Sequence, residues 1–303
     1  MHESGKLWQT EIPKGTRLAI ALGCFDGVHI GHRALLKEVI EDKNGLISAI
    51  WTFTEPLTKP YIEKVEDRIR LCASYGVRYA ICESFERFKN MTPAEFLNYL
   101  VNDLCVAKIV CGDDFRFGKD REGDAELLKS ECERLGIELK IVPPVYADID
   151  GKNEKVSSTL IRTLITEGHP EKAAELLGRP FTVSGVVVSG NNLGRTIQVP
   201  TLNQRFEKCR IVPKHGVYAT TCTVGGKSYP SVTNVGTRPT VVAGSHEENC
   251  ETHIIDEKLD LYGEIAAVNF HAYIRPETKF PSLTELREQI ANDIEYSKNY
   301  FSK

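Results

Sequence analysis

Gly23 to His32 reads GCFDGVHIGH and follows the apolar run LAIAL at Leu18 to Leu22. A short continuous apolar run is the pattern of a strand buried on both faces. Beyond it, Leu35, Leu36, Val39 and Ile40 recur at helical spacing. The decapeptide is therefore a strand-to-helix turn, with Gly23, Gly27 and Gly31 set four apart. Backbone N–H groups at a helix N-terminus lack intrahelical partners and lie at the positive end of the dipole, so such a turn attracts anions. Two imidazoles at the same place, His29 and His32, point to a polyphosphate ligand.

Working outward, four more strand candidates follow at Leu46 to Phe53, Arg78 to Cys82, Ala107 to Cys111 and Leu139 to Val142. Helical stretches separate them. The clearest is Thr92 to Asn102, where Thr92 and Glu95 form a capping box and Pro93 occupies the first turn. Alternating strands and helices predict a doubly wound α/β domain with a mostly parallel sheet, whose ligands bind beyond the carboxyl ends of the strands. GCFDGVHIGH lies there, as does GDDFRFG at Gly112 to Gly118 after the fourth strand.

The pattern changes near Gly178, Arg179 and Pro180. Beyond them come short β-rich runs at Thr182 to Val188, Gly216 to Val224, Ser231 to Val235, Thr252 to Ile255 and Ile265 to Ile274. Close turn signals between such runs predict a small β-barrel. A last helix opens on a Ser282 and Glu285 capping box and carries Leu283, Leu286, Ile290 and Ile294 on one stripe. The reading is an α/β domain over 1–178 followed by a β-barrel domain with a C-terminal helix over 179–303.

Composition narrows the function classes. A formal net charge of −4 gives no broad basic field, so nucleic acid is not the expected partner. With 41% hydrophobic and 26% charged residues the chain is an ordinary globular one. No apolar run approaches the roughly 20 residues that span a bilayer, and the N-terminal residues lack a signal pattern, so a cytoplasmic protein with no membrane partner is expected. The 9 cysteines are scattered without a CxxC pair, which predicts reduced, mostly buried thiols rather than a disulfide framework or zinc site.

Several further segments carry chemistry. In VSSTLIR, Val156 to Arg162, the hydroxyls of Ser157, Ser158 and Thr159 can cap a helix or offer donors to a phosphate, and Arg162 shares that first turn. GDDFRFG alone reads as a turn with an ion pair. GVVVSGNNLGRTIQVPTLN, Gly185 to Asn203, runs from a strand into a loop spaced by Gly190 and Gly194. No GxxxxGK[ST] occurs, which excludes a P-loop kinase. NVGTRPT at Asn234 to Thr240, CETHII at Cys250 to Ile255 and YIRPETKF at Tyr273 to Phe280 complete the set. His246, Glu247 and Glu248 resemble the start of a zinc motif, but position 250 is a cysteine where a second histidine would stand.

In order and spacing these segments resemble the bacterial bifunctional riboflavin kinase and FAD synthetase family, and the first half resembles the HxGH nucleotidyltransferase superfamily. The resemblance implies two ATP-dependent reactions with small-molecule substrates: riboflavin to FMN, then FMN to FAD with release of pyrophosphate. For the adenylyltransferase it implies catalytic His29 and His32, ATP contacts at Gly23, Phe25, Asp26, His29, His32, Ser157, Ser158, Thr159 and Arg162, and flavin contacts at Asp114 and Phe117. For the kinase it implies Glu251 as general base and ATP contacts at Gly190, Gly194, Arg195, Thr201 and Asn203. It further implies Mg²⁺ held through Thr201 and Asn203, and flavin contact at Arg275. The chain departs from the family at Thr52 to Thr58, where a Pro-His-Pro-like segment is usual, and at Gln198, Val199 and Leu202. Two other readings stay open on the residues: a kinase with a weak or inactive first domain, and a flavin- or nucleotide-binding regulator without turnover.

Overall fold

The computed structural model describes residues 12–55, 60–188, 199–239, 246–257, 259 and 261–302. The chain divides into two compact units, Met1–Ser158 and Thr159–Lys303. That division precedes the 178/179 boundary read from the change to short β-rich runs.

In the first unit the order is β1 (Leu18–Leu22), α1 (Ile30–Ile40), β2 (Ile47–Phe53), α2 (Val65–Ser74), β3 (Tyr79–Glu83), α3 (Phe85–Phe88) and α4 (Pro93–Asn98). A π-helical turn, Tyr99–Asp103, prolongs α4, and β4 (Val106–Gly112), α5 (Ala125–Leu135) and β5 (Glu138–Val142) follow. The strands form one parallel sheet in the order β3-β2-β1-β4-β5. The alternation of large and small residues along β1 decides its surroundings. Leu18, Ile20 and Leu22 enter one core with Trp51, Phe96 and Leu97, while Ala19 and Ala21 face the other, where Leu36 and Val39 of α1 come close. The capping box is present: Glu95 N donates to Thr92 Oγ1 at 3.3 Å and Thr92 N to Glu95 Oε2 at 2.8 Å. A polar hairpin, β6 (Tyr146–Ile149) and β7 (Lys152–Lys155), ends the unit.

Helices α6 (Ser158–Glu167) and α7 (Pro170–Leu177) lead into β8 (Phe181–Val186), β9 (Leu202–Arg205), β10 (Gly216–Val224), β11 (Lys227–Pro239), β12 (His246–Ile254), β13 (Ile265–Arg275) and α8 (Leu283–Phe301). The six strands pair antiparallel in the order β8-β13-β10-β11-β12-β9. The two edges approach each other, because Val188 N donates to Asn203 O at 2.8 Å. Gln204, 1% exposed, bridges the same gap: its Nε2 donates to Gly185 O at 2.9 Å and to Ala266 O at 2.8 Å. The result is a near-closed barrel.

Losing a partner of a buried polar group costs about 1–3 kcal/mol. Gln204→Ala is therefore expected to speed amide exchange of β8 and β13 about 5- to 150-fold, with β1 to β5 unaffected. Unchanged protection in β8 would show that Gln204 does not hold the closure.

Candidate active sites

In the first unit the order β3-β2-β1-β4-β5 puts the topological switch point between β1 and β4, and ligands of such sheets bind beyond the carboxyl ends of the strands there. The turn after β1 is conformationally strained: Phe25 has φ 51° and Val28 φ 41°, beside Gly27 at 85°. A β-branched residue at positive φ is costly, about 1–3 kcal/mol, and persists only where its surroundings fix it. Both side chains are fully buried, which supplies that fixation.

The strained turn delivers His29 to the N-cap of α1, where its Nδ1 accepts from His32 N at 3.2 Å. With Nδ1 accepting, a neutral His29 carries its proton on Nε2 and can donate it to a ligand. The His29 and His32 rings stack, 3.6 Å between centroids and 18° between planes. Gly31 makes room for this pair, since a Cβ there would stand 3.1 Å from the His29 ring. His32 Nδ1 is buried and has no hydrogen-bond partner among the described residues. Burial first, then the neighbouring His29 and Arg68, hold the His32 imidazole well below its ordinary range, so it is neutral at pH 7.

This has a pH signature. Below the ordinary imidazole value of about 6.5 the unfolded chain takes up a proton that folded His32 refuses. Stability from this residue is therefore complete above that pH and is lost as pH falls towards the folded value. The unfolding midpoint of the first unit, read by Trp51 fluorescence, should drop from pH 6.5 to 5, and less steeply in His32→Gln. Equal slopes would contradict the assignment.

Other groups tie the turn down. Asp26, 6% exposed, accepts from Ile62 N at 2.9 Å and Glu63 N at 3.0 Å, so its carboxylate anchors the segment before α2. Ser158 Oγ donates to Asp26 O at 2.7 Å, which ties Ser158 to the turn. Thr159 and Arg162 continue α6 in the second unit. Gly23 leaves space for the Phe25 ring, 3.3 Å from where its Cβ would lie.

Arg68 is a site residue that the motifs do not include. It is 3% exposed, and its guanidinium donates to Cys24 O and, at 3.5 Å, to Thr52 Oγ1. A signal for it exists in the sequence: Val65, Arg68, Ile69 and Cys72 share one helical face, so an arginine stands in the buried stripe of α2.

Asp114 and Phe117 behave differently from each other. Asp114 Oδ2 is exposed and pairs with Lys155 Nζ at 3.0 Å. Phe117, 6% exposed, packs in the core beside Phe96 and Phe115, in a space that Gly123 provides, since a Cβ there would lie 2.6 Å from its ring. The departure at Thr52 to Thr58 lies partly outside the described residues, which omit 56–59.

In the second unit the barrel register sets Glu251 of β12 opposite Asn203 of β9 on one side and Asn234 of β11 on the other. Asn249 Nδ2 donates to Glu251 Oε1 at 2.9 Å. Asn203, 3% exposed, donates to Thr201 O at 3.4 Å, which bends the chain so that Thr201 shares a cavity with Glu251. That cavity is also lined by Val217, Val232, Asn234 and His253, and by Leu286 and Ile290 of α8. It joins an apolar wall to an oxygen-rich rim. Gly190, Gly194 and Arg195 lie outside the described residues.

Arg275 lines the cavity, held in a fork by Asp293 of α8, with Nε to Oδ1 at 3.0 Å and Nη2 to Oδ2 at 2.8 Å. Asp293 is 2% exposed, whereas Leu283 of the expected apolar stripe is 53% exposed. Sequence reasoning misses Asp293 because a helical stripe is read from apolar residues, and an aspartate in it is visible only once its arginine is known. Glu277 completes the rim: its Oε1 accepts from Asn234 Nδ2 at 3.0 Å and fills the space left by Gly236.

Comparison with known proteins accounts for both units. Residues 11–160 match the FAD synthetase model and residues 177–301 the riboflavin kinase model. The bifunctional riboflavin kinase/FMN adenylyltransferase of Escherichia coli K12 is 37% identical over 93% of this chain and 92% of its own length. The chain belongs to the bifunctional riboflavin kinase/FMN adenylyltransferase family. The protein of that name from Bacillus subtilis strain 168 is 33% identical over 93% of this chain and 92% of its own. A solved structure from Streptococcus pneumoniae, titled a macrolide-efflux protein, superposes with a TM-score of 0.84 at 32% identity, over 95% of this chain and 96% of that one. Its title names transport, whereas no helix among the described residues here is long and apolar enough to cross a membrane.

Proposed function

We propose that this chain makes FMN from riboflavin and ATP in its second domain, and FAD from FMN and ATP in its first, with the domain boundary at 178/179. The observation that carries the reading is one chain holding two clusters of different chemistry: stacked imidazoles at a helix N-terminus, and a strand carboxylate beside oxygen donors.

In the second domain Glu251 accepts the proton of the ribityl 5′-hydroxyl as that oxygen attacks the γ-phosphorus of ATP and ADP leaves. The donor set of Thr201 hydroxyl and Asn203 amide oxygen suits a hard, oxygen-seeking cation. Those residues would hold Mg²⁺, which neutralises charge on the ATP phosphates when bound. Val217, Val232 and the α8 residues Leu286 and Ile290 cover the flat ring system, and Arg275, locked by Asp293 and by donation of its Nη1 to Pro276 O at 3.1 Å, lines the same cavity.

In the first domain the FMN phosphate attacks the α-phosphorus of ATP and pyrophosphate departs. No protein nucleophile is needed. His29 and His32 donate hydrogen bonds to oxygens that gain charge, and fixed positioning supplies the rest of the rate.

Riboflavin and Mg-ATP given to the purified chain should yield FMN first and FAD later, with ADP and pyrophosphate released. FMN that accumulates without FAD would favour the kinase-only reading, and tight flavin binding with no release of either product would favour the regulator.

A further inference from the structure

His253 lies two residues beyond Glu251 on β12 and lines the same cavity. Its Nδ1 is 2.9 Å from the carbonyl oxygen of Pro200. A carbonyl only accepts, so the imidazole carries its proton on Nδ1 and donates it. The backbone explains why a side chain is needed there. The β9 and β12 ladder runs from Asn249 opposite Arg205 to Thr252 opposite Leu202 and stops. One residue further, the chain that must present Thr201 has left the sheet, and Pro200 has no N–H of its own with which to extend pairing. The imidazole takes over where the ladder ends.

We propose that His253 is a positioning residue of the kinase site: by holding the Pro200 carbonyl it sets the Thr201–Asn203 segment against Glu251. This rests on the kinase reading above. The residue acts through the backbone of the segment assigned to the nucleotide, so its loss alters the use of Mg-ATP and not that of riboflavin.

The tautomer gives a specific test. The amide nitrogen of asparagine can stand where Nδ1 does, and that of glutamine falls nearer Nε2. With the full-length chain and saturating riboflavin, His253→Ala should raise KM for Mg-ATP about tenfold, the worth of one hydrogen bond, and lower kcat less than threefold. His253→Asn should keep KM within threefold of the parent, and His253→Gln should resemble alanine. KM for riboflavin and the FMN-to-FAD step should stay as in the parent for all three. An unchanged KM for Mg-ATP in His253→Ala, or equal impairment by asparagine and glutamine, would overturn the proposal. Should alanine unfold the barrel, the asparagine–glutamine contrast alone decides it. A parent chain that makes no FMN would instead overturn the kinase reading beneath it.

Discussion

Glu251→Gln is expected to lower the rate of FMN formation about 10²- to 10⁴-fold, the usual contribution of a general base, while conversion of supplied FMN to FAD proceeds as in the parent. Glutamine keeps the shape and can still accept from Asn249 Nδ2, which lies 2.9 Å from Glu251 Oε1. The strand register of Asn203, Glu251 and Asn234 is carried by backbone pairing and is unaffected by the substitution. What disappears is proton acceptance from the 5′-hydroxyl. The loss should therefore fall on kcat, with KM for riboflavin changed less than threefold, because an interaction made only in the transition state leaves ground-state binding intact. Steady-state assay of FMN by fluorescence-detected chromatography measures both. A Glu251→Gln protein with more than a tenth of parental kcat would remove Glu251 from the chemistry.

The second large effect is on the other half. His29→Ala with His32→Ala should reduce FAD formation from FMN at least about 10³-fold, since removal of a single preorganised donor to a developing oxyanion already costs about 10²–10³. The pair acts as a unit: the rings stack at 3.6 Å, and His29 Nδ1 fixes His32 N. Each single variant should thus lose most of what the double variant loses, as for residues that share one function. His29→Ala also removes the side-chain cap of α1, worth about 1 kcal/mol of stability. His32→Ala does not, and so separates chemistry from folding. Pyrophosphate release is the readout, with FMN formation from riboflavin as the internal control. Parental pyrophosphate release in folded His32→Ala would contradict the role given to the imidazoles.

The first unit is largely legible in the sequence because its signals are local. LAIAL forms β1 over the same residues, and Thr92 with Glu95 caps the helix where the sequence places it. The helix itself ends differently, passing into a π-helical turn at Tyr99–Asp103. The β6–β7 hairpin escapes a sequence reading because KNEK has no apolar residue and YADI is only four residues long. Asp150 at φ 54° and Gly151 at 78° mark the Asp-Gly turn that betrays it.

In the barrel Gly216 to Val224 coincides with β10, but the runs read for β11 and β12 are too short, for a different reason. Ser231 to Val235 is the centre of β11, which runs Lys227–Pro239. Its buried Ser231 and Thr233 bond Thr220 at 2.8 Å each, and Thr233 bonds Thr252 at 2.9 Å. Hydroxyls that satisfy one another across strands lie inside a barrel at little cost, but they erase the apolar alternation from which strands are read. β9 escapes notice altogether, since its register is visible only from β12.

The candidate sites follow the same division. Motifs contiguous in the chain are enough to single out His29, His32, Thr201, Asn203 and Glu251. Arg68, Asp293 and His253 act through partners far away in the chain, at Cys24, Arg275 and Pro200, and no local pattern announces such a pairing.

Two active sites on one chain should be separable by mutation. Glu251→Gln and the His29→Ala, His32→Ala double variant, each folded, should be mixed with riboflavin and Mg-ATP and followed for FAD. The expected result is FAD from the mixture and from neither variant alone, because the double variant supplies FMN and Glu251→Gln consumes it. FAD from either variant alone, or none from the mixture, would contradict the account.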